Sequence, residues 1–393
     1  MIASRSPRRP APSSRLRHRL ISLMLPPCLV WFSTEAMAQP AQPAAKPKAV
    51  TNTSASASKQ APKQDNGPVA GNFAERIEVK SFISDMADQH GLDRDWMLAA
   101  FQRIAPNAQV LSLMNPPKTS IQRSWKAYRP RFLQPVRIDG GVAFWQQHAE
   151  ALARATDTYG VPSEIIVAII GIETVYGRNT GNFQVLQALA TLGFDYPSRA
   201  AYFKRELEEF LLYCHENRLD LLAPRGSYAG AIGTPQFMPG SIRSYATDFD
   251  GDARIDLRAS TTDAIGSVAR FLQIHGWTPG KPTHYPANLG KDADPAPLLA
   301  KGPKANLTIG ELNAHGISSP AEVPADEPLL LVDLVNADAP PDYTIGTGNF
   351  YAITRYNRSF MYAMAVIDLA DAIKQGRERS TRAKTANKAG STR

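Results

Sequence analysis

Glu173 closes the most apolar stretch of the chain, Ile165-Ile166-Val167-Ala168-Ile169-Ile170-Gly171-Ile172-Glu173. A carboxyl held against apolar walls loses the solvation of its charged form, so its pKa rises. A carboxylic acid that keeps its proton near neutral pH is what general-acid chemistry requires. A glutamate on the exposed edge of a last helical turn would do no such chemistry, and the apolar run alone does not choose between the two. Acids that open glycosidic bonds ordinarily work with a second carboxylate. Glu164 lies nine residues earlier, and nine steps of about 100° turn it to the opposite helix face. Asp195, in a following loop, stays open as a partner. Neither is clearly placed, which favours chemistry in which the substrate supplies the second group.

Two further constellations follow. In Ser227-Tyr228-Ala229-Gly230-Ala231-Ile232-Gly233-Thr234-Pro235-Gln236-Phe237-Met238-Pro239, small residues let backbone approach a ligand closely. Ser227 and Gln236 carry hydroxyl and amide groups suited to sugar hydroxyls and N-acetyl groups, and Phe237 and Met238 could line a sugar face. A tight Gly/Pro-rich loop with no ligand has the same composition. The run Asp248-Phe249-Asp250-Gly251-Asp252-Ala253-Arg254-Ile255-Asp256 sets carboxylates at alternate positions, like the start of an EF-hand loop. The fit is imperfect: Gly251 falls at the fourth position, Ala253 at the sixth, and Ala259 stands where the twelfth-position glutamate belongs. An acidic turn without an ion is the alternative.

Other chemistries lack their residues. The histidines are scattered without zinc-ligand spacing, and there is no Gly-x-Ser-x-Gly elbow or phosphate loop. The formal charge of +8 sits at the ends, about +5 over residues 1–38 and +6 after Asp371, leaving the middle near −3. A folded nucleic-acid-binding surface is therefore not indicated. An Arg-rich start, an apolar run from Leu20 to Phe32 and Ala36-Met37-Ala38 read as a cleavable secretory signal over 1–38. Cys28 lies in that run after two prolines, not after the small residues that lipidation would want. Cleavage leaves Cys214 as the lone cysteine, a packed thiol, so the exported core has no internal disulfide.

The elements that must position these groups are mainly helical. Residues 39–71, rich in Ala, Pro, Lys, Ser and Thr, read as a flexible tether. Helical spacing runs from Phe73 to Gly91, then from an Asp93 N-cap through Phe101 and Ile104, then from Val142 to Tyr159. Pro162 opens the Glu173 helix. Arg199–Glu216, Asp263–His275 and a last helix, Ser359–Ala372, follow. Between Pro279 and Thr354, Leu329-Leu330-Leu331-Val332 and Tyr351-Ala352-Ile353-Thr354 suggest strands. Residues 374–393 read as a solvated, disordered basic tail, with a peripheral contact to membrane or cell-wall machinery as its alternative use.

Taken together, these segments resemble the lytic murein transglycosylase B family, from about Phe73 to Ile373. The pieces that carry the resemblance are Gly171-Ile172-Glu173-Thr174-Val175-Tyr176-Gly177, the Ser227–Pro239 loop, Asp263-Ala264-Ile265-Gly266-Ser267-Val268 and Ile353-Thr354-Arg355-Tyr356-Asn357. It implies a lysozyme-like catalytic core (161–278), a helical domain (72–160, completed by 357–373) and a small β-containing domain (279–356). It implies Glu173 as a single acid/base that cleaves the bond between N-acetylmuramic acid and N-acetylglucosamine and leaves a 1,6-anhydro sugar. Ser227, Gln236, Phe237, Tyr356, Asn357 and Tyr362 would lie about the reacting sugar, with Tyr128 and Arg199 further out. Ser198 departs from a pattern in which a second arginine precedes Arg199, which puts one substrate contact in doubt. The family's calcium loop implies Asp248, Asp250, Asp252, the Arg254 carbonyl and Asp263 as ligands of a structural Ca²⁺; the chemistry itself would need no cofactor. The expectation is a monomeric periplasmic enzyme whose partner is the peptidoglycan glycan strand.

Overall fold

The structure, a computed structural model, describes residues 71–115 and 124–390, with side chains through Arg382. The expected leader and nearly all of the tether lie outside the described residues. From the N-terminal side the helices are α1 (Ile77–His90), α2 (Arg94–Phe101), α3 (Ala108–Met114), the single turn α4 (Trp125–Tyr128), α5 (Pro135–Gln147), α6 (Ala149–Tyr159) and α7 (Ser163–Thr174). Then come β1 (Phe183–Gln184), α8 (Val185–Asp195), α9 (Ala200–Glu216), β2 (Arg225–Gly226), α10 (Pro239–Tyr245) and α11 (Thr261–Ile274). A β-containing segment holds β3 (His284–Pro286), β4 (Asn288–Leu289), α12 (Ala296–Leu299), α13 (Ile309–Ala314), β5 (Ile317–Ser318), β6 (Leu329–Leu334) and β7 (Asp342–Thr347). The chain closes with α14 (Gly348–Tyr356) and α15 (Phe360–Gly390).

The centre of the molecule is α7. Every residue from Ile165 to Ile172 is buried, as expected for a helix that is apolar all round. It is wrapped by α5, α6, α11 and α15. The chain enters it through Gly160-Val161-Pro162, where α6 and α7 meet at 115°. Gly160 caps α6 in the left-handed region, and Pro162 precedes the first turn of α7, where a lost N–H costs nothing. Asp93 caps α2 as expected, accepting the Trp96 N–H at 2.8 Å. Among the described residues, no single helix is long and apolar enough to cross a membrane.

The β segment has its own small core of Leu298, Leu307, Leu312, Ile317, Leu329, Leu331 and Ile345. Its main sheet is antiparallel, in the order β3-β7-β6. It is tied to the helical body by the Trp125 N–H, which donates to the Val335 carbonyl at 2.8 Å. It leads directly into α14, whose N-cap is Thr347.

Three expectations change. The stretch from Val142 to Tyr159 is two helices, not one: α5 begins at Pro135 and ends at His148, whose ring leans on Phe144. Tyr351-Ala352-Ile353-Thr354 is helix, not strand; Thr347 accepts the Asn349 N–H and starts a helix that buries Phe350 and Ile353. Four apolar residues do not reveal their own period, so local β propensity misleads there. The basic tail is helical to Gly390. Arg, Lys, Gln and Ala are good helix formers, and cations suit a helix C-terminus. Its first turns are pinned by Lys374 on Glu164 (2.8 Å) and by the Arg377 guanidinium over the Trp145 ring (4.5 Å).

Candidate active site

Glu173 lies in the last turn of α7, and its carboxyl is enclosed by side chains from three other elements. Burial pushes its pKa from 4.5 up to about 7, and a hydrogen bond from Tyr362 partly opposes that rise. The Tyr362 hydroxyl, on α15, donates to Glu173 Oε1 at 2.6 Å. Tyr356, at the end of α14, lies nearly parallel to Tyr362, with ring centroids 6.4 Å apart and planes 11° apart. Its hydroxyl donates to the Pro235 carbonyl. Tyr128, on α4, feels the Glu173 charge, and burial first, then that charge, push its own pKa up to about 12. Both α14 and α15 tyrosines are pushed well above 10 by burial and then by Glu173. All three rings therefore stay neutral hydrogen-bonding groups around one carboxyl.

The two carboxylates weighed as partners are engaged elsewhere. Glu164 pairs with Lys374 at 2.8 Å, and Asp195 pairs with Arg76 at 2.8 Å.

Behind Glu173 the backbone turns through three successive left-handed residues, Val175 (φ 51°), Tyr176 (φ 63°) and Gly177 (φ 83°). Only the glycine takes this conformation without cost; a β-branched valine there is a genuine outlier. Thr174 holds the elbow from inside: its hydroxyl donates to the Thr234 carbonyl at 2.8 Å and accepts the Gly177 N–H at 2.9 Å. The elbow is thus joined to the Ser227–Pro239 loop. Arg137, a buried arginine on α5, donates to the Gly171 carbonyl at 3.3 Å and to the Arg131 carbonyl at 3.0 Å. Thr174 and Tyr176 stand in the motif that carries the resemblance but had no role assigned, and Arg137 was not singled out, because none stands out by type and their work depends on the elbow.

The Ser227–Pro239 loop folds on itself as its composition suggested. Ile232 and Phe237 exchange backbone hydrogen bonds at 2.8 and 3.1 Å. Gly233 needs to be glycine, since a Cβ would stand 2.4 Å from the Leu257 carbonyl oxygen. Ser227 is buried, and its Oγ accepts the Ala231 N–H at 3.0 Å. Gln236 has φ 52°, and its amide nitrogen donates to the carbonyls of Thr180 and Gly233. Its amide oxygen is buried and accepts no hydrogen bond among the described residues. Phe237 is only 3% exposed and packs on Tyr356 and Phe271; it backs the site instead of facing a sugar.

Asn357 is the C-cap of α14, half-buried and next to Tyr356. Arg199 stands at the head of α9, its guanidinium over the rings of Tyr202 (4.4 Å) and Phe203 (5.1 Å), with Arg358 near enough to depress its pKa after burial has done most of it.

In the acidic loop, Asp248, Asp250 and Asp252 each present a carboxylate oxygen, all within 4.8 Å of one another. Backbone N–H groups of Gly251 and Ala253 hold Asp248, and the N–H of Arg254 holds Asp252. Convergent hard oxygen donors of this kind suit Ca²⁺. Asp263 stands apart from that trio. It is 1% exposed and accepts the N–H groups of Phe249, Asp250 and Asp256, closing the loop onto α11.

The transglycosylase SLT domain matches residues 74–371 of this chain. The chain is similar to membrane-bound lytic murein transglycosylase B of Escherichia coli (strain K12), with 41% identity over 317 residues, 79% of this chain and 86% of that protein. Among solved structures it is similar to catenated lytic transglycosylase SltB1 from Pseudomonas aeruginosa, with a TM-score of 0.72 at 43% identity over 78% of this chain and 99% of that one. It is also similar to the Escherichia coli lytic transglycosylase Slt35 in complex with calcium, with a TM-score of 0.67 at 38% identity over 81% of this chain and 99% of that one.

Proposed function

Because this chain belongs to the transglycosylase SLT domain family, we propose that its reaction runs on one carboxyl, that of Glu173. The protein is a peptidoglycan lytic transglycosylase, an enzyme that cuts murein glycan strands. One observation carries the assignment: the half-buried Glu173 carboxyl accepts the Tyr362 hydroxyl at 2.6 Å, in surroundings that push its pKa up to about 7.

Glu173 in its acid form gives its proton to the oxygen bridging N-acetylmuramic acid and N-acetylglucosamine. The C1–O bond breaks, and the N-acetylglucosamine side leaves with its 4-hydroxyl restored. Positive charge at muramyl C1 is met by the carboxylate that remains and by the sugar's own acetamido group. The muramyl C6 hydroxyl attacks C1 and returns its proton to Glu173. A 1,6-anhydro ring forms, no water is consumed, and the acid is ready again. The Tyr362 hydroxyl serves both halves, since its hydrogen bond is strongest to the carboxylate that exists between them. Gln236 offers its amide oxygen to an acetamido N–H, and Asn357, Ser227, Tyr128 and Arg199 supply contacts along the strand. A water attacking from the opposite face of the sugar, as in inverting hydrolysis, would need a second carboxylate to activate it, and the engagement of Glu164 and Asp195 in other ion pairs weighs against that route.

The acidic loop is read as a Ca²⁺ site held by Asp248, Asp250 and Asp252, with the Arg254 carbonyl beside them and Asp263 bracing the loop from behind. Calcium there would be structural: it neutralises clustered carboxylates and pins the loop to α11. The place of action is the cell envelope; export by a cleaved, unlipidated leader to the periplasm is part of the same proposal.

The test is mass spectrometry of muropeptides released from purified sacculi. Wild type should release anhydromuropeptides, and Glu173→Gln should release none above background. Products heavier by one water would overturn the intramolecular route, and unchanged release by Glu173→Gln would overturn the residue assignment.

A further inference from the structure

We infer that Tyr176 is a positioning residue for Glu173, locked in a socket of three glycines so that the left-handed elbow after α7 holds the catalytic carboxyl in place. The inference rests on the reading of Glu173 as the acid/base.

The socket is built from two helices. Gly140 and Gly141 lie on α5, and Gly171 lies on α7, two residues before Glu173. A Cβ at Gly140 would stand 2.9 Å from the Tyr176 ring, one at Gly141 would stand 2.6 Å from its hydroxyl oxygen and 2.5 Å from the Ile373 side chain, and one at Gly171 would stand 2.5 Å from that oxygen. Real Cβ atoms do not approach so closely, and none of the three glycines has a left-handed φ that would by itself call for glycine. What they share is the Tyr176 side chain. The seat is completed by the hydroxyl, which donates to the Arg137 carbonyl at 2.5 Å, and by Phe144, whose ring centroid is 5.3 Å from that of Tyr176.

The seat acts on the backbone as follows. Val175 and Tyr176 both carry positive φ, a strained conformation that persists only where the surroundings over-determine it. The Tyr176 ring, held at its far end by α5, prevents the elbow from relaxing. Arg137 adds to this from the same helix by holding the Gly171 carbonyl, which also accepts the Val175 N–H. The α5 helix therefore fixes the last turn of α7 from two sides, and Glu173 sits in that turn. The titratable groups that face its carboxyl are Tyr362 on α15, Tyr356 on α14 and Tyr128 on α4. All three variants below leave these tyrosines and Arg137, the buried charged group on α5, in place.

Three variants test this: Gly171→Ala, which pushes a methyl against the hydroxyl; Tyr176→Leu, which empties the socket; and Tyr176→Phe, which keeps the ring. The readouts are kcat, KM and pH profile on soluble uncrosslinked glycan strands, with circular dichroism for folding. Tyr176→Leu should lower kcat on the order of 10- to 100-fold, the scale of a small misplacement of a reacting group, with KM within about two-fold. The basic limb of its pH profile should move to lower pH, because a carboxyl that swings toward solvent loses its desolvation. Tyr176→Phe should fall between Leu and wild type, and adding it to Gly171→Ala should restore part of the lost kcat. A folded Tyr176→Leu with wild-type kcat and an unmoved basic limb would overturn the inference and leave Tyr176 as packing alone. If Gly171→Ala fails to fold, the two Tyr176 variants, which only remove atoms, still decide it. Failure of the underlying reading is separate: it would appear as activity in Glu173→Gln.

Discussion

The half-buried Glu173 carboxyl gives the enzyme's stability one of its pH dependences. In the folded protein Glu173 holds its proton to about 7, above the ordinary 4.5 it has in an unfolded chain. Its contribution to stability is therefore fully present below about 4.5 and is lost as the pH rises through about 7. The full loss is on the order of 3 kcal/mol. Glu173→Gln keeps the shape and removes the titration, so at pH 8 it should melt several degrees above wild type, while at pH 4 the two should coincide. A Tm gap that is the same at both pH values would contradict this. Cleavage by wild type should fall above pH 7 for the same reason. At this scale the sequence was most legible where composition is extreme: eight buried residues leading into a lone carboxyl. It assigned no role to Arg137 or to Tyr176, though Tyr176 stands in the quoted motif, because their roles are created by packing between distant segments. Phe237 was misjudged because an aromatic in a Gly/Pro-rich loop looks the same whether it faces a ligand or backs one.

Among the elements, the acidic loop is the one whose order should respond to an added ion. Its carboxylates already collect backbone N–H groups, so removing Ca²⁺ should leave the turn but return mutual repulsion to Asp248, Asp250 and Asp252. Calcium should raise the Tm of wild type over that in chelator, and Asp248→Ala with Asp250→Ala should abolish the difference. Equal melting of both proteins with and without calcium would remove the site. Asp263→Ala is expected to lower the Tm more than Asp248→Ala with Asp250→Ala, since it removes the acceptor of three part-buried backbone N–H groups at once. Long periodic helices and their caps were readable from the chain: Asp93 and Pro162 stand where they were expected. The short α14 was not, because its helical start is set by Thr347 and by burial under the β segment. The break between α5 and α6 was hidden because the apolar stripe continues across His148.

Over the whole molecule, the site is assembled from both ends of the folded region. Glu173 and its donor Tyr362 are 189 residues apart in sequence, and α15, which packs on both α7 and α5, buries Ala363, Val366, Ile367, Ala370 and Ile373. A chain stopped after Arg358 should fail to fold cooperatively by circular dichroism. A chain stopped after Arg382 should keep wild-type cleavage, because the contacts of Lys374 and Arg377 are retained. Cleavage by the shorter chain, or a dead longer one, would contradict this account of α15. The general architecture, helical with a small β segment, was legible from periodicity and from the rise in Pro and Gly after Trp277. The return of the final helix to the centre was implied only by the resemblance, which put Tyr362 about the reacting sugar, since no local pattern records which distant helix an apolar stripe will meet. For an enzyme that cuts the wall its own cell depends on, that return amounts to a clock. A ribosome delivers Glu173 189 residues before the tyrosine that orients it, so the blade is not set until the last helix of the fold has emerged.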